Sequence, residues 1–188
     1  MSTDKQGRAK RMQAIVAELD IPEGVTIEIK GNEIETKGSL GTNKRIFNDS
    51  LIKVHKKDNK IVVEHLKMPG LERKANTAVN SFRKELENDT KGVSQHFEKK
   101  MRIVFAHFPI NVEIKGDKLH INNLIGERVP RISNIVGGTK IEVKGQAVRV
   151  YGTSLDDVSQ TSANIRQICK IRNKDSRVFQ DGIYYEIE

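Results

Sequence analysis

Lys170, Arg172, Lys174 and Arg177 follow one another at intervals of two or three residues, with Arg166 just ahead of them. Against these five cations the stretch from 160 to 185 sets only Asp175 and Asp181. Such a run can grip phosphate. An arginine forks two hydrogen bonds onto a phosphate, a lysine adds a point charge, and a glycine such as Gly182 lets the backbone come close. Tyr184 closes the run and is expected to pack as core rather than to stack on a ligand. The same residues also suit a plainer role, because cations near a helix C-terminus complement its dipole and the loop beyond is solvated. Two other groups carry the same sign. Lys5, Arg8, Lys10 and Arg11 read either as a basic arm or as a frayed tail. Arg128 and Arg131 read either as added binding surface or as ordinary solvated charge.

Bond-making chemistry has little to draw on. His55, His65, His96, His107 and His120 show no metal-ligand spacing. Cys169 is the single cysteine. It lies on an apolar helical stripe without a Cys-x-x-Cys partner and reads as a small buried hydrophobe. No internal disulfide is possible, and a reducing compartment fits. Asp156 and Asp157 fall in a first helical turn, where capping and the dipole account for them. Gly38-Ser-Leu-Gly41 followed by Lys44 has the outline of a backbone-clamping RNA loop, but that loop joins two helices. Here the flanks alternate as strands, so a turn between strands is expected. Gly137-Gly138-Thr139-Lys140 lacks the leading glycine and spacing of a phosphate loop and reads as a turn. The expectation is a chain with no catalytic site, no metal, no cofactor and no small-molecule substrate.

The balance of the whole chain says more. A net charge of +8 over 188 residues points to a polyanion, and nucleic acid is the commonest one. An anionic membrane is the weaker reading, since no run of ~18 apolar residues exists and the start does not resemble a signal peptide. Aromatic residues make up 5% and tryptophan is absent, which is thin for a protein that stacks single strands on exposed rings.

The elements that must carry these charges follow from periodicity. Residues 4–19 read as a short basic amphipathic helix, with Met12, Ile15, Val16 and Leu19 at helical spacing. From Val25 the period is two, and Gly31-Asn32 closes a hairpin whose return strand begins at Ile34. A second hairpin runs from Leu51 through Lys57-Asp58-Asn59 to Val63, and a helix follows from Leu71 to Asn88. Phe97 to Phe105 reads as a strand that links two halves. The order then recurs: Val112 and Ile114, a turn at Gly116-Asp117, Leu119 and Ile121; then Ile141 to Lys144, a turn at Gly145-Gln146, Val148 and Val150. Ser154 with Asp157 starts a last helix that continues through Cys169. The basic run begins where that helix ends and continues into a loop.

The recurrence is literal in places. Glu28-Ile-Lys-Gly31 returns as Glu113-Ile-Lys-Gly116, 85 residues on. A pattern repeated at domain length means two copies of one fold. The fold class is therefore α+β, a tandem duplication of one small domain, each copy an antiparallel sheet of hairpins packed against one helix. The boundaries expected are a basic extension over 1–20, a first domain over 21–92 and a second over 93–188.

Several separate strings then match one family in order. They are Ile21-Pro-Glu-Gly-Val25, Lys37-Gly-Ser-Leu-Gly41, Lys91-Gly-Val93 and Phe97-Glu-Lys-Lys-Met101. Ala106-His-Phe-Pro-Ile-Asn-Val112 and Asn173-Lys-Asp-x-Arg-x-Phe-x-Asp-Gly-Ile-Tyr184 look like its archaeal and eukaryotic branch. Together these resemble the family of the universal sixth protein of the large ribosomal subunit, called L nine in eukaryotic naming. The resemblance covers about residues 20 to 185. It implies a cytoplasmic, non-catalytic constituent of the large subunit. It would bind ribosomal RNA mainly through the second domain, near the factor-binding side, among neighbouring ribosomal proteins. It maps the RNA-contacting segment onto Lys170, Arg172, Lys174, Arg177, Gly182 and Tyr184. Bacterial members carry a lysine- and glycine-rich string here, whereas this chain has Asp175 and Asp181. The competing reading is a tandem-module RNA-binding adaptor outside the ribosome, which composition alone does not separate from the first.

Overall fold

The computed structural model describes residues 16–48, 52–57, 59–65, 72–106, 108–175 and 177–186. Lys5, Arg8, Lys10, Arg11, Met12 and Ile15 of the expected N-terminal helix lie outside these residues, as do Leu51, Asp58, Leu71 and His107. The far end of that helix is corrected. Val16–Asp20 is a strand, β1. Its partners explain the change: β1 pairs antiparallel with the strand Lys60–His65, setting Ala17 opposite Val63 and Leu19 opposite Ile61. A helix of so few residues is weak by itself, and here it would leave the edge of a buried strand unpaired.

Contacts divide the chain into two compact units. The first comprises the described residues within Met1–Thr36 and Lys44–Thr90, the second those within Lys37–Asn43 and Lys91–Glu188. In the first part of the chain β1 is followed by β2 (Thr26–Lys30), β3 (Glu33–Lys37), β4 (Thr42–Ile46), β5 (Ile52–Lys57), β6 (Lys60–His65) and α1 (Glu72–Ser94). The strands form two three-stranded sheets, ordered β1-β6-β5 and β2-β3-β4. On α1, Ala75, Val79, Phe82 and Leu86 are buried. Their spacing of four, three and four puts them on one stripe. The rings of Phe82 and Phe47 lie 5.5 Å apart. Arg45 on β4 forks onto Asp89 of α1 at 2.6 and 3.0 Å and reaches Glu85 at 3.0 Å.

The second unit contains β7 (Phe97–Val104), β8 (Asn111–Lys115), β9 (Lys118–Asn122), a 3-10 turn (Leu124–Gly126), β10 (Arg131–Asn134), β11 (Lys140–Lys144), β12 (Ala147–Gly152), α2 (Leu155–Ile168) and β13 (Gly182–Tyr185). Its sheets are ordered β8-β9-β10 and β11-β12-β7-β13. The strand expected to link two halves, β7, is instead an inner strand of the second unit. It lies between β12 and β13, with Met101 opposite Val148 and Ile103 opposite Ile183. Met101 and Ile103 alternate inward with Val148, Val150 and Ile183, and α2 closes the core with Val158, Ile165 and Cys169. Each repeat thus divides its strands between two sheets. The α+β duplication holds, with both Glu-Ile-Lys-Gly strings as a strand and its hairpin turn. Gly31 and Gly116 sit at φ of +60° and +59°, a conformation glycine adopts without a Cβ clash.

The Gly38–Gly41 string is the turn between β3 and β4, closed by the Gly38 N–H on the Gly41 carbonyl at 3.0 Å. Its glycine has a packing cause. A Cβ on Gly38 would come within 2.6 Å of Val93 Cγ2 and 2.7 Å of the Val93 carbonyl oxygen. The Leu40 N–H donates to that same carbonyl. The other glycine pair, Gly137-Gly138, is a turn as well. Among the described residues, no helix is long and apolar enough to cross a membrane.

Candidate nucleic-acid interface

The basic run is held at its start by the end of a capped helix. Ser154 caps α2, its Oγ accepting the Asp157 N–H at 3.2 Å. Asp156 and Asp157 lie in the first turn, as dipole and cap require. Val158, Ser162, Ile165 and Cys169 turn inward, so Ala163, Arg166 and Lys170 fall on an exposed face. Burial pushes the Cys169 thiol up to about 11, against smaller opposing effects of the Ile183 backbone hydrogen bond and of Arg131. It is a core residue, as its stripe position implies.

Arg131 does not lie open to a ligand. Its Nη1 donates to the carbonyls of Ile168 at 2.6 Å and Lys170 at 3.0 Å. Its Nε and Nη2 donate to the Glu127 carboxylate at 2.8 and 2.6 Å. The guanidinium therefore closes the C-terminus of α2, where carbonyls lack partners within the helix. The hydrogen bond from Arg131 holds the Glu127 carboxyl below the usual carboxylate range, and Glu127 in turn raises Arg131. Of the two residues read together as surface, Arg128 is exposed and Arg131 is structural.

Beyond Lys170 the segment orders itself. Asn173 takes a left-handed φ of +59°. Asp175 accepts the Arg177 N–H at 2.9 Å and both ends of the Arg177 guanidinium at 3.2 and 3.1 Å. These bonds depress the Asp175 carboxyl. The Asp175 carbonyl takes the N–H groups of Val178 and Phe179. Lys174 Nζ stands 5.6 Å from the centre of the Phe179 ring, a cation–π distance. Asp181 is fully buried and its Oδ1 accepts the Ala106 N–H at 3.1 Å. Both acids of the run, Asp175 and Asp181, thus have structural work. One shapes the turn around Arg177 and the other anchors the return to the sheet. Lys170, Arg172, Lys174 and Arg177 all lie on the exposed side of this segment.

Two expectations for the end of the run are corrected. The loop stops at Gly182, where β13 joins β7. Gly182 is buried, and what comes close to it is the Tyr184 ring, 3.2 Å from where a Cβ would stand. Tyr184 itself is 41% exposed rather than core. Strand alternation is the reason. Ile183 enters the core, so Tyr184 must take the opposite face and Tyr185 the same face as Ile183.

That alternation brings together residues that spacing did not single out. Tyr185 meets α2, with the Arg166 guanidinium 5.5 Å from its ring centre. Arg166 and Lys170 are four residues apart, and this spacing was the available signal that they lie on the same side. The pairing with Tyr185 depends on how β13 is threaded, which local pattern does not show. Among the described residues no group of three or more His, Cys, Asp or Glu side chains could hold a metal ion.

Comparison with known proteins covers both repeats. The family model described as Ribosomal protein L6 matches residues 21–96 and again 108–182. A large ribosomal subunit protein uL6 from Methanocella arvoryzae is 42% identical over 170 residues, covering 90% of this chain and 94% of the relative. The protein of the same name from Methanosarcina mazei is 42% identical over 173 residues, covering 92% and 97%. That from Ignicoccus hospitalis is 38% identical over 171 residues, covering 88% and 90%.

Proposed function

Because this chain belongs to the ribosomal protein L6 family, we propose that it is a non-catalytic constituent of the large ribosomal subunit that binds ribosomal RNA. Its place would be the cytoplasmic ribosome, near the factor-binding side and among other ribosomal proteins. The observation that carries the RNA contact is the exposed row Lys170, Arg172, Lys174 and Arg177, with Arg166 on the adjoining helix face. The one acid among them, Asp175, is bound to Arg177. This row lies in the segment between α2 and β13, which the Asp175 turn shapes at its middle. A-form grooves hide base edges from side chains, which makes charge and shape the main terms. Arg128 adds exposed charge on the same unit. Arg8, Lys10 and Arg11 are further candidates. Gly182 acts through the backbone path, and Tyr184 looks out from the opposite face of the sheet.

The test titrates the full chain against archaeal large-subunit ribosomal RNA at about 50 to 200 mM salt. Each phosphate neutralised should contribute a slope of roughly −0.7 to −0.9 in log affinity against log salt. Replacing Lys174 and Arg177 together by alanine should weaken binding and flatten that slope by about 1 to 2, with the far-UV spectrum unchanged. Unchanged affinity and slope would remove this segment from the interface. Sedimentation decides against the free adaptor: at low salt the protein should travel with large subunits, not at the top of the gradient.

A further inference from the structure

We infer that the cleft between the second half of α2 and β13 receives a single unstacked nucleotide of the RNA. This rests on the RNA-binding reading above and names one contact within it. The cleft measures about 480 Å³, within the range of small-ligand sites. It has room for one base with its sugar and phosphate. Its lining includes Ala163, Arg166, Lys170, Phe179 and Tyr185, and no acid. Three other sizeable clefts in the protein each carry at least one glutamate on their walls. Of these four clefts among the described residues, this one alone has cations and no carboxylate on its walls, which suits a phosphate.

The walls also offer what a base needs. Ala163 and Arg166 lie three apart on one side of α2, and Lys170 follows just past its C-cap. The short Ala163 side chain leaves the space open. Opposite stand the Tyr185 ring and the main chain of β13. This strand is the edge of its sheet, so alternate peptide groups lack a ladder partner. The Glu186 N–H donates to the Lys100 carbonyl, which sets the phase of the ladder. Gly182 and Tyr184 then exchange bonds with β7, and the peptide groups of Ile183 and Tyr185 face outward. The Ile183 backbone is engaged by Cys169. Among the described residues the Tyr185 N–H and carbonyl have no ladder partner on this edge, a donor and an acceptor side by side on a strand that borders the cleft, matching the edge of an unpaired base. The Arg166 guanidinium lies over the Tyr185 ring at 5.5 Å, and a base can stack on the outward face of this pair. An acidic peptide would use the cations but would leave this flat face and the paired donor and acceptor without purpose.

The test binds the full chain to archaeal large-subunit ribosomal RNA and reads base reactivity and backbone cleavage at each nucleotide. The wild-type chain should protect a stretch of backbone and the pairing edge of one unpaired base. Ala163→Leu fills the cleft from an exposed helix position without removing charge. It should restore that base's reactivity and weaken binding about tenfold, the scale of one stacked base, while backbone protection persists. Tyr185→Leu should do the same by removing the ring. Matching far-UV spectra and melting curves exclude a folding effect. Backbone protection with no protected base, or a protected base that both variants leave unchanged, overturns the nucleotide site and leaves the RNA-binding reading standing. If Ala163→Leu binds RNA normally but loses a neighbouring protein from reconstituted subunits, the cleft holds a peptide and the inference is wrong. Absence of any protection by the wild-type chain refutes both.

Discussion

Arg131→Ala separates two roles that the sequence left open for this residue. In the structure the guanidinium donates two bonds to backbone carbonyls at the end of α2 and two to Glu127. A charged donor on a carbonyl contributes about 1.5 kcal/mol, so the two helix-end bonds amount to about 3 kcal/mol. The Glu127 pair has a 22%/42% exposed geometry, and solvent screening reduces it to about 0.5 kcal/mol. Loss of the arginine should therefore lower the melting temperature by about 15 °C or more for a unit of this size. Glu127→Gln removes only the pair and should lower it by about 2 °C. Arg131→Lys should recover little, because an ammonium cannot fork across both partners. Thermal unfolding followed by far-UV circular dichroism suits a chain without tryptophan. The pH dependence adds a check. The folded-state carboxyl of Glu127 lies below its unfolded value of about 4.3, so its contribution is complete above that pH. It is lost as pH falls through the folded value, and wild type and Glu127→Gln should converge in acid. An Arg131→Ala chain that melts with the wild type yet binds ribosomal RNA poorly would refute this account and return the residue to the interface.

Other consequences follow from buried contacts. Arg45→Ala removes two charged hydrogen bonds from the buried Asp89 carboxylate and should destabilise the first unit by about 2–4 kcal/mol, read by urea unfolding. A stable variant would mean that Asp89 finds other donors. Gly92→Ala should be among the most damaging single substitutions, because its Cβ would run into the Thr153 carbonyl oxygen. Backbone cannot yield there, since that carbonyl also accepts from Asn43 and the Thr153 hydroxyl donates to the Asn43 side chain. Near-wild-type yield and melting would contradict it. Cys169, with its thiol raised to about 11 by burial, should react with iodoacetamide at pH 7 at least ~100-fold more slowly than a free thiol. Quantitative labelling of the folded chain would show the α2 core to be open.

What the sequence determined by itself was whatever neighbours along the chain decide. Alternation at Val112–Ile114, the left-handed glycines at 31 and 116 and the Ser154 cap each fix local backbone within a few residues, and they read correctly. The duplication was legible because a repeated string needs no structure to be seen. Tertiary structure decided the rest, where local preference was weak or two uses of a residue were equal in sequence. Val16–Asp20 had helical spacing, but pairing with β6 made it a strand. Gly182–Tyr185 continued a polar loop in sequence, but Asp181 and the vacant side of β7 drew it into the sheet. Arg128 and Arg131 looked alike until the end of α2 claimed one of them. Tyr184 and Tyr185 were split between opposite faces by Ile183, because a pleated strand buries alternate residues only. Charge along a chain shows that a phosphate partner is fitting; which cations face it depends on which carbonyls and carboxylates the fold has already placed beside them.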